Sequence, residues 1–233
     1  MAVAFTQLAT ISTSTSNTDS YTAASAGTPS SGDLLLCFVV ASGTVAEGSM
    51  TGAWTWTRLT SFTFNGGLDT IYVFWARATA ATSTTPVFSC AGDSATGCII
   101  YTLRITGQDA GGAPYIRQMK TNTGNTANPS VTLDTAVLTG NGVVGIACNK
   151  TNSSTQWTAP ASWSENSEGT YNTPATSLQV SSRASGETGT TITWTNSNTS
   201  NWGIMVMEIY VLGAGITEDG SGGTGYSGGA SNI

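Results

Sequence analysis

The chain has 233 residues, of which 39% are hydrophobic and 9% are charged, and it contains no histidine. This composition is too apolar for a disordered chain, and its richness in Ser, Thr and Gly disfavours long helices. The lack of histidine excludes a Ser-His-Asp triad and His-ligated zinc, while seven scattered basic residues and a formal net charge of −6 argue against direct nucleic-acid binding.

Short strands are predicted along the first half of the chain. A Gly-Asp turn at 32–33 precedes the apolar run 34–41, which is far shorter than the roughly 20 residues of a membrane helix. Residues 55–64 alternate with period two, and the Asn-Gly-Gly turn 65–67 tolerates positive φ, which predicts a hairpin. Residues 68–78 form the returning strand, and a Thr-rich strand follows.

The second half of the chain repeats features of the first. Arg77-Ala78 aligns with Arg183-Ala184, and Gly97 aligns with Gly203 at the same spacing. Self-similarity of this kind indicates two copies of one unit. We therefore predict one copy at about 1–107 and a second at about 113–213.

The predicted fold is all-β: an antiparallel, jelly-roll-like β-sandwich built from two sequence repeats. Two arrangements fit such a duplicated unit. The copies could form separate small sandwiches in tandem, or they could interleave into one sandwich of about 12 to 14 strands. The short connector between the copies favours the single sandwich.

The composition changes after residue 213. Residues 214–233 are rich in Gly and Ser and cannot bury enough apolar surface to fold alone. We predict an extended C-terminal arm that lies on a neighbouring subunit, where it would pair with an exposed sheet edge. Ile216, Tyr226 and Ile233 are the candidate contact residues of this assembly arm.

The four cysteines carry no metal or redox motif. Cys37, Cys98 and Cys148 lie in or beside apolar runs, and no C-x-x-C pair is present. Buried, reduced thiols are the favoured interpretation, with a Cys90–Cys98 disulfide as the alternative. No cofactor and no metal are expected. The N-terminal region has no basic residue before an apolar segment, so no signal peptide is expected.

The order of these motifs resembles a known family. Gly-Asp-Leu-Leu-Leu at 32–36, Trp-Thr-Arg-Leu at 56–59 and Trp-Ala-Arg-Ala-Thr-Ala at 75–80 are similar to duplicated jelly-roll-like β-sandwich domains of bacteriophage virion proteins and some bacterial surface proteins. The resemblance covers about residues 1–213. In that family the second copy carries a Pro-Pro-x-Gly-Trp turn, whereas this chain has Ala-Pro-Ala-Ser-Trp at 159–163. The family has no agreed catalytic set, so no active-site residue is carried over.

This resemblance implies a non-enzymatic structural protein of the virion. The leading role is a capsid decoration (cement) protein that stabilises a phage head, and a tail or fibre component is the second. The implied partners are further copies of the chain, for example in a trimer, and the major capsid or tail proteins, with no membrane involved. The protein would be made in the host cytoplasm and reside in the virion. Symmetry would multiply weak contacts into a stable coat.

Two groups of residues suggest rival functions. Glu165 and Glu168 beside Trp163 are the residue types of a glycoside hydrolase, but their spacing on a predicted loop fixes no separation between the carboxyl groups. Trp54, Trp157 and Trp202 are the candidate exposed aromatics, either for a host surface glycan or for a subunit interface. An adhesin-like carbohydrate-binding module is therefore the alternative function.

Overall fold

The computed structural model describes residues 2–43, 45, 47–90, 95–108, 115–151, 157–196 and 198–211. The first half contains β1 (Ala4–Ser14), β2 (Ser20–Thr22), β3 (Leu34–Ser42), β4 (Ser49–Thr51), β5 (Thr57–Phe64), β6 (Asp69–Arg77), β7 (Val87–Ser89) and β8 (Gly97–Thr106). The second half contains β9 (Ile116–Gly124), β10 (Ser130–Thr132), β11 (Gly142–Asn149), β12 (Trp157–Thr158), β13 (Ser164–Asn172), β14 (Ala175–Arg183), β15 (Thr191–Thr193), β16 (Thr195–Asn196) and β17 (Trp202–Ile209). Within these ranges no helix is long and apolar enough to cross a membrane.

Each half consists of one large and one small layer of antiparallel strands. The large sheets have the equivalent orders β1-β8-β3-β6-β5 and β9-β17-β11-β14-β13. The small layers are β2-β7-β4 in the first half and the pairs β10-β15 and β12-β16 in the second. In the first half, strands one, eight, three and six share the large sheet, and strands two, seven and four form the small one, as in a jelly roll. The fifth strand departs from that order, because β5 stays in the large sheet and pairs with β6. The predicted all-β, antiparallel β-sandwich is therefore confirmed.

The apolar strands are buried on both faces because each large sheet is covered on both sides. In β3, Leu36, Phe38 and Val40 lie in a central core between the two large sheets. The alternate residues Cys37 and Val39 lie in an outer core beneath the small sheet. Side chains alternate sides along a strand, so a strand with two apolar environments reads as a continuous apolar run.

The arrangement of the two halves differs from both predicted alternatives. The halves are not separate, because the central core contains Val40 and Tyr101 from the first half with Val144 and Ile146 from the second. Nor do they interleave: the large sheets contain strands from one half only. The molecule has four layers, since each large sheet is apolar on its outer face too and needs its own small layer. The two large sheets have equivalent strand orders, and the duplication of one sequence unit stays a prediction.

The predicted local elements of the first half are present with adjusted ends. The run 34–41 is β3, and the alternating segment and its returning strand are β5 and β6. The Asn-Gly-Gly turn is a 3₁₀ turn, Asn65–Gly67, in which all three residues have positive φ, namely 54°, 68° and 88°. The Thr-rich strand is shorter than expected, since β7 covers only Val87–Ser89 after a proline that has no N–H to donate.

Candidate functional site

Five polar residues meet between the two halves at one end of the sandwich. Ser42 ends β3 and pairs in register with Asp69, which begins β6. Lys150 directly follows β11, while Tyr171 and Thr176 pair across the β13–β14 hairpin. The antiparallel sheets bring these strand ends to the same place. We call these five residues the inter-half cluster.

Asp69 is the centre of the inter-half cluster and is only 1% exposed. Its Oδ1 accepts hydrogen bonds from Ser42 Oγ at 2.5 Å and from Lys150 Nζ at 3.0 Å. Nζ also lies 3.1 Å from Thr176 Oγ1 and 3.5 Å from Ser42 Oγ. The Tyr171 hydroxyl lies 2.5 Å from Ser42 Oγ, and it is the donor because Ser42 gives its own hydrogen to Asp69. A buried carboxylate of the first half is thus neutralised by an ammonium of the second.

The hydrogen bonds of the inter-half cluster leave no reactive group free. Burial is the main cause that raises the pKa of Tyr171, so its hydroxyl stays protonated and donates. The three hydrogens of the Lys150 ammonium face three acceptors, and Ser42 Oγ accepts from both Tyr171 and Lys150. Acyl transfer by a Ser–Lys pair needs a free lone pair on each residue. This arrangement joins the two halves of the molecule through hydrogen bonds.

The inter-half cluster continues outward through two asparagines. Asn65 Nδ2 donates to Asp69 Oδ2 at 2.7 Å, and Asn201 Nδ2 donates to Asn65 Oδ1 at 2.7 Å. The Lys150 backbone N–H donates to the carbonyl of Asn201 at 3.2 Å. This chain of contacts reaches an open groove of about 430 Å³ that is walled by Asn65 and the residues after it on one side and by Asn201 and Trp202 on the other.

The two carboxylates of the hydrolase hypothesis, Glu165 and Glu168, both lie on β13 opposite β14, which contains Gln179. A bulge after Glu165 shifts the β13 register so that Glu165 pairs with Ser181 and Glu168 pairs with Gln179. Gln179 Nε2 donates to Glu165 Oε2 at 3.0 Å. Burial, and then the charge of Glu165, raise the pKa of Glu168 to about 8. The pair therefore holds a proton at neutral pH, but it lies on an edge strand and does not line the groove.

A second buried carboxylate, Glu208, lies in the second half and is fully enclosed. Its Oε2 accepts from Arg117 Nη1 at 2.7 Å and from Gln118 Nε2 at 2.6 Å, and its Oε1 accepts from Asn141 Nδ2 at 2.7 Å. Burial alone would raise the pKa of Glu208, but these bonds and the Leu138 N–H outweigh it and hold the pKa below its usual value. Glu208 is therefore a structural anion.

The three candidate aromatics are buried, so the expectation that they are exposed is wrong. Trp54, Trp157 and Trp202 are 7%, 4% and 4% exposed. Trp54 packs with Leu35 in a small core, whereas Trp157 and Trp202 belong to the outer core of the second half. Polar neighbours in the sequence suggested a surface position for these tryptophans. Their rings instead pack at the ends of apolar cores, which suits an amphipathic side chain.

The remaining predicted residues divide into those that the structure describes and those that it does not. Ile216, Tyr226 and Ile233 of the predicted arm lie outside the described residues. The four cysteines are free and buried, as favoured, and the Cys90–Cys98 disulfide is not formed. Burial raises the pKa of Cys37 to about 12, which makes its thiol inert. Among the residues with described positions, no group of three or more His, Cys, Asp and Glu side chains could hold a metal ion.

Sequence reasoning missed the inter-half cluster. Its members are separated by up to 134 residues, and no spacing rule connects Ser42 to Thr176. One signal was available: in a chain with 9% charged residues, Asp69 and Lys150 stand directly beside apolar strands. A charge in that position is expected to find a partner, because an unpaired buried charge is costly.

No family model matches the chain, and no curated protein matches it.

Proposed function

We propose that this protein is a non-enzymatic structural component of a virion, with capsid decoration as its leading role. The proposal begins from the resemblance in sequence and from the jelly-roll architecture, which occurs in viral capsid proteins and in lectins. Architecture alone is an argument by analogy, because one fold supports many functions. The choice between an assembly role and a catalytic one therefore depends on which described side chains are exposed and which are already hydrogen-bonded.

One observation supports an assembly role more than any other. Few large apolar side chains are exposed in the described part of the chain, and two of them are Leu138 (45%) and Tyr210 (39%). Leu138 comes shortly before β11 and Tyr210 directly follows β17, and the start of β11 pairs with the end of β17. The Val211 N–H donates to Asn141 Oδ1 at 3.2 Å, and the Asn141 N–H donates to the Leu138 carbonyl at 3.0 Å. The chain continues from this end into residues 212–233. An apolar contact and the predicted arm would therefore reach a neighbouring subunit together.

The rest of the described surface suits weak contacts between subunits that symmetry repeats many times. The buried carboxylates Asp69 and Glu208 are saturated by internal hydrogen bonds, so they are not available to a substrate. Strands on the outside of the sheets, such as β1 with its Thr and Ser residues, offer hydroxyls. Interfaces of modest area with few charges become stable when symmetry repeats them.

The location is tested by antibody-gold labelling of purified particles in the electron microscope. Label over the head is the expected result and supports capsid decoration. Label confined to the tail would support the tail or fibre role instead, and particles without label would refute a virion protein altogether.

The contact surface is tested by removing its apolar side chains. We expect the double variant Leu138→Ser/Tyr210→Ser, and separately deletion of residues 216–233, to fold with unchanged circular dichroism but to lose self-association in sedimentation velocity and incorporation into particles. The matched control is Leu68→Ser, because Leu68 is 58% exposed and lies in the β5–β6 hairpin, away from this contact. Equal loss in the control, or normal incorporation of both test proteins, would contradict the proposed surface.

A further inference from the structure

We propose that the groove between the two halves binds a neutral, hydroxyl-rich ligand, namely a carbohydrate chain. One wall is the Asn65–Gly67 turn with Thr63, from the first half. The other wall is formed by Thr123, Asn125 and Asn201–Trp202, from the second half. The groove volume of about 430 Å³ lies within the roughly 300–1,000 Å³ of ligand clefts. The proposal is independent of the virion role and of stacking on an exposed tryptophan.

The chemistry of the lining selects the class of ligand. The side chains that line the groove are neutral amides, hydroxyls and the rings of Phe64 and Trp202, with no acidic or basic residue among them. An amide offers both donors and acceptors, and a hydroxyl does the same, which matches the hydroxyl groups of a sugar. An anionic ligand would find no counter-charge. Gly66 and Gly67 line the groove, and nothing lies within 4 Å of where a Cβ would stand on either residue, so no neighbouring side chain covers them at that position.

The groove is held in shape by the inter-half cluster. Asn65 has a φ of 54°, and its amide is fixed on one side by Asp69 and on the other by Asn201, each at 2.7 Å. Asp69 is in turn fixed by Lys150 at 3.0 Å. A site with fixed walls loses little conformational entropy when a ligand binds. The buried ion pair therefore acts as a positioning element for the groove.

Binding is expected to depend on hydrogen bonds more than on stacking. Trp202 is 4% exposed and its Nε1 donates to the Thr126 carbonyl at 2.9 Å, so the ring forms a wall and presents no open face. Affinity at one groove should therefore be weak. If the protein is assembled in many copies, a polymeric glycan would engage several grooves and bind more tightly.

The test uses an array of neutral glycans followed by ¹⁵N-HSQC titration with the hits, and with heparin-derived oligosaccharides as the anionic probe. We expect a neutral glycan to shift the amide signals of Gly66, Gly67 and Gly124, and heparin oligosaccharides to shift none of them. The double variant Thr123→Val/Asn125→Ala should weaken binding about 10-fold, because it removes two exposed hydrogen-bonding groups.

The matched control is Thr121→Val/Asn128→Ala, which makes the same changes on exposed residues that do not line the groove. It should leave the affinity unchanged. The proposal is overturned if no neutral glycan on the array binds, if the shifted signals lie elsewhere, if heparin binds in their place, or if the control loses as much affinity as the groove variant. None of these results bears on the proposed virion role, because particle labelling tests that role separately.

Discussion

Replacing Lys150 with methionine should destabilise the protein strongly, because it leaves the Asp69 carboxylate buried without its counter-charge. Asp69 is 1% exposed, and the Lys150 side chain is 20% exposed. Breaking a buried ion pair by removing one partner typically costs about 3–5 kcal/mol. Asp69 would keep the hydrogen bonds from Ser42 and Asn65, so we expect the lower end, about 3 kcal/mol. In a chain of this size that lowers Tm by roughly 6–12 °C.

The assay is urea unfolding followed by tryptophan fluorescence on a double-mutant cycle of Lys150→Met and Asp69→Asn. The double variant should lose less than the sum of the single losses, with a coupling of about 2 kcal/mol. Lys120→Met is the matched control, because Lys120 pairs at 2.9 Å with Asp134 but their side chains are 40% and 67% exposed. That surface pair should contribute only about 0–1 kcal/mol. Strictly additive losses in the cycle, or equal losses at Lys150 and Lys120, would refute this account of the inter-half cluster.

Two further predictions concern the second half of the chain. The folded state raises the pKa of Glu168 from 4.5 to about 8, so the stability that its protonated form contributes should be lost as the pH rises through that interval. Glu168→Gln should therefore flatten the decline of Tm between about pH 5 and 8. An unchanged slope would contradict the raised pKa. Gly145→Ala should cost about 1–3 kcal/mol in urea unfolding, since its Cβ would lie 2.6 Å from the Trp194 ring and 2.9 Å from the Met205 carbonyl. Gly189→Ala should cost clearly less, because the new Cβ would lie 3.2 Å from Glu187 Oε1 and 3.7 Å from the Thr191 carbonyl, so the neighbours need to shift by only a few tenths of an ångström. A similar loss at both glycines would argue against close packing at Gly145.

The amino-acid sequence by itself determined the strands and their class. The run 34–41 is apolar at successive positions and follows a Gly-Asp turn, which indicates a strand. The Asn-Gly-Gly turn fixed the hairpin because its residues tolerate positive φ, and the apolar surroundings of the cysteines indicated buried thiols. These features depend on neighbours in the chain, which is why local patterns reveal them.

Only the tertiary structure decided which faces meet. The four-layer arrangement follows from apolar residues on both faces of each large sheet, and the order of strands in the sequence does not say which face the other half covers. Trp202 follows a polar segment and was expected at the surface, yet its ring closes a core. Asp69 and Lys150, 81 residues apart, become partners because two sheets place their strand ends together. The groove beside them exists for the same reason: each half supplies one wall, and neither wall is a site alone.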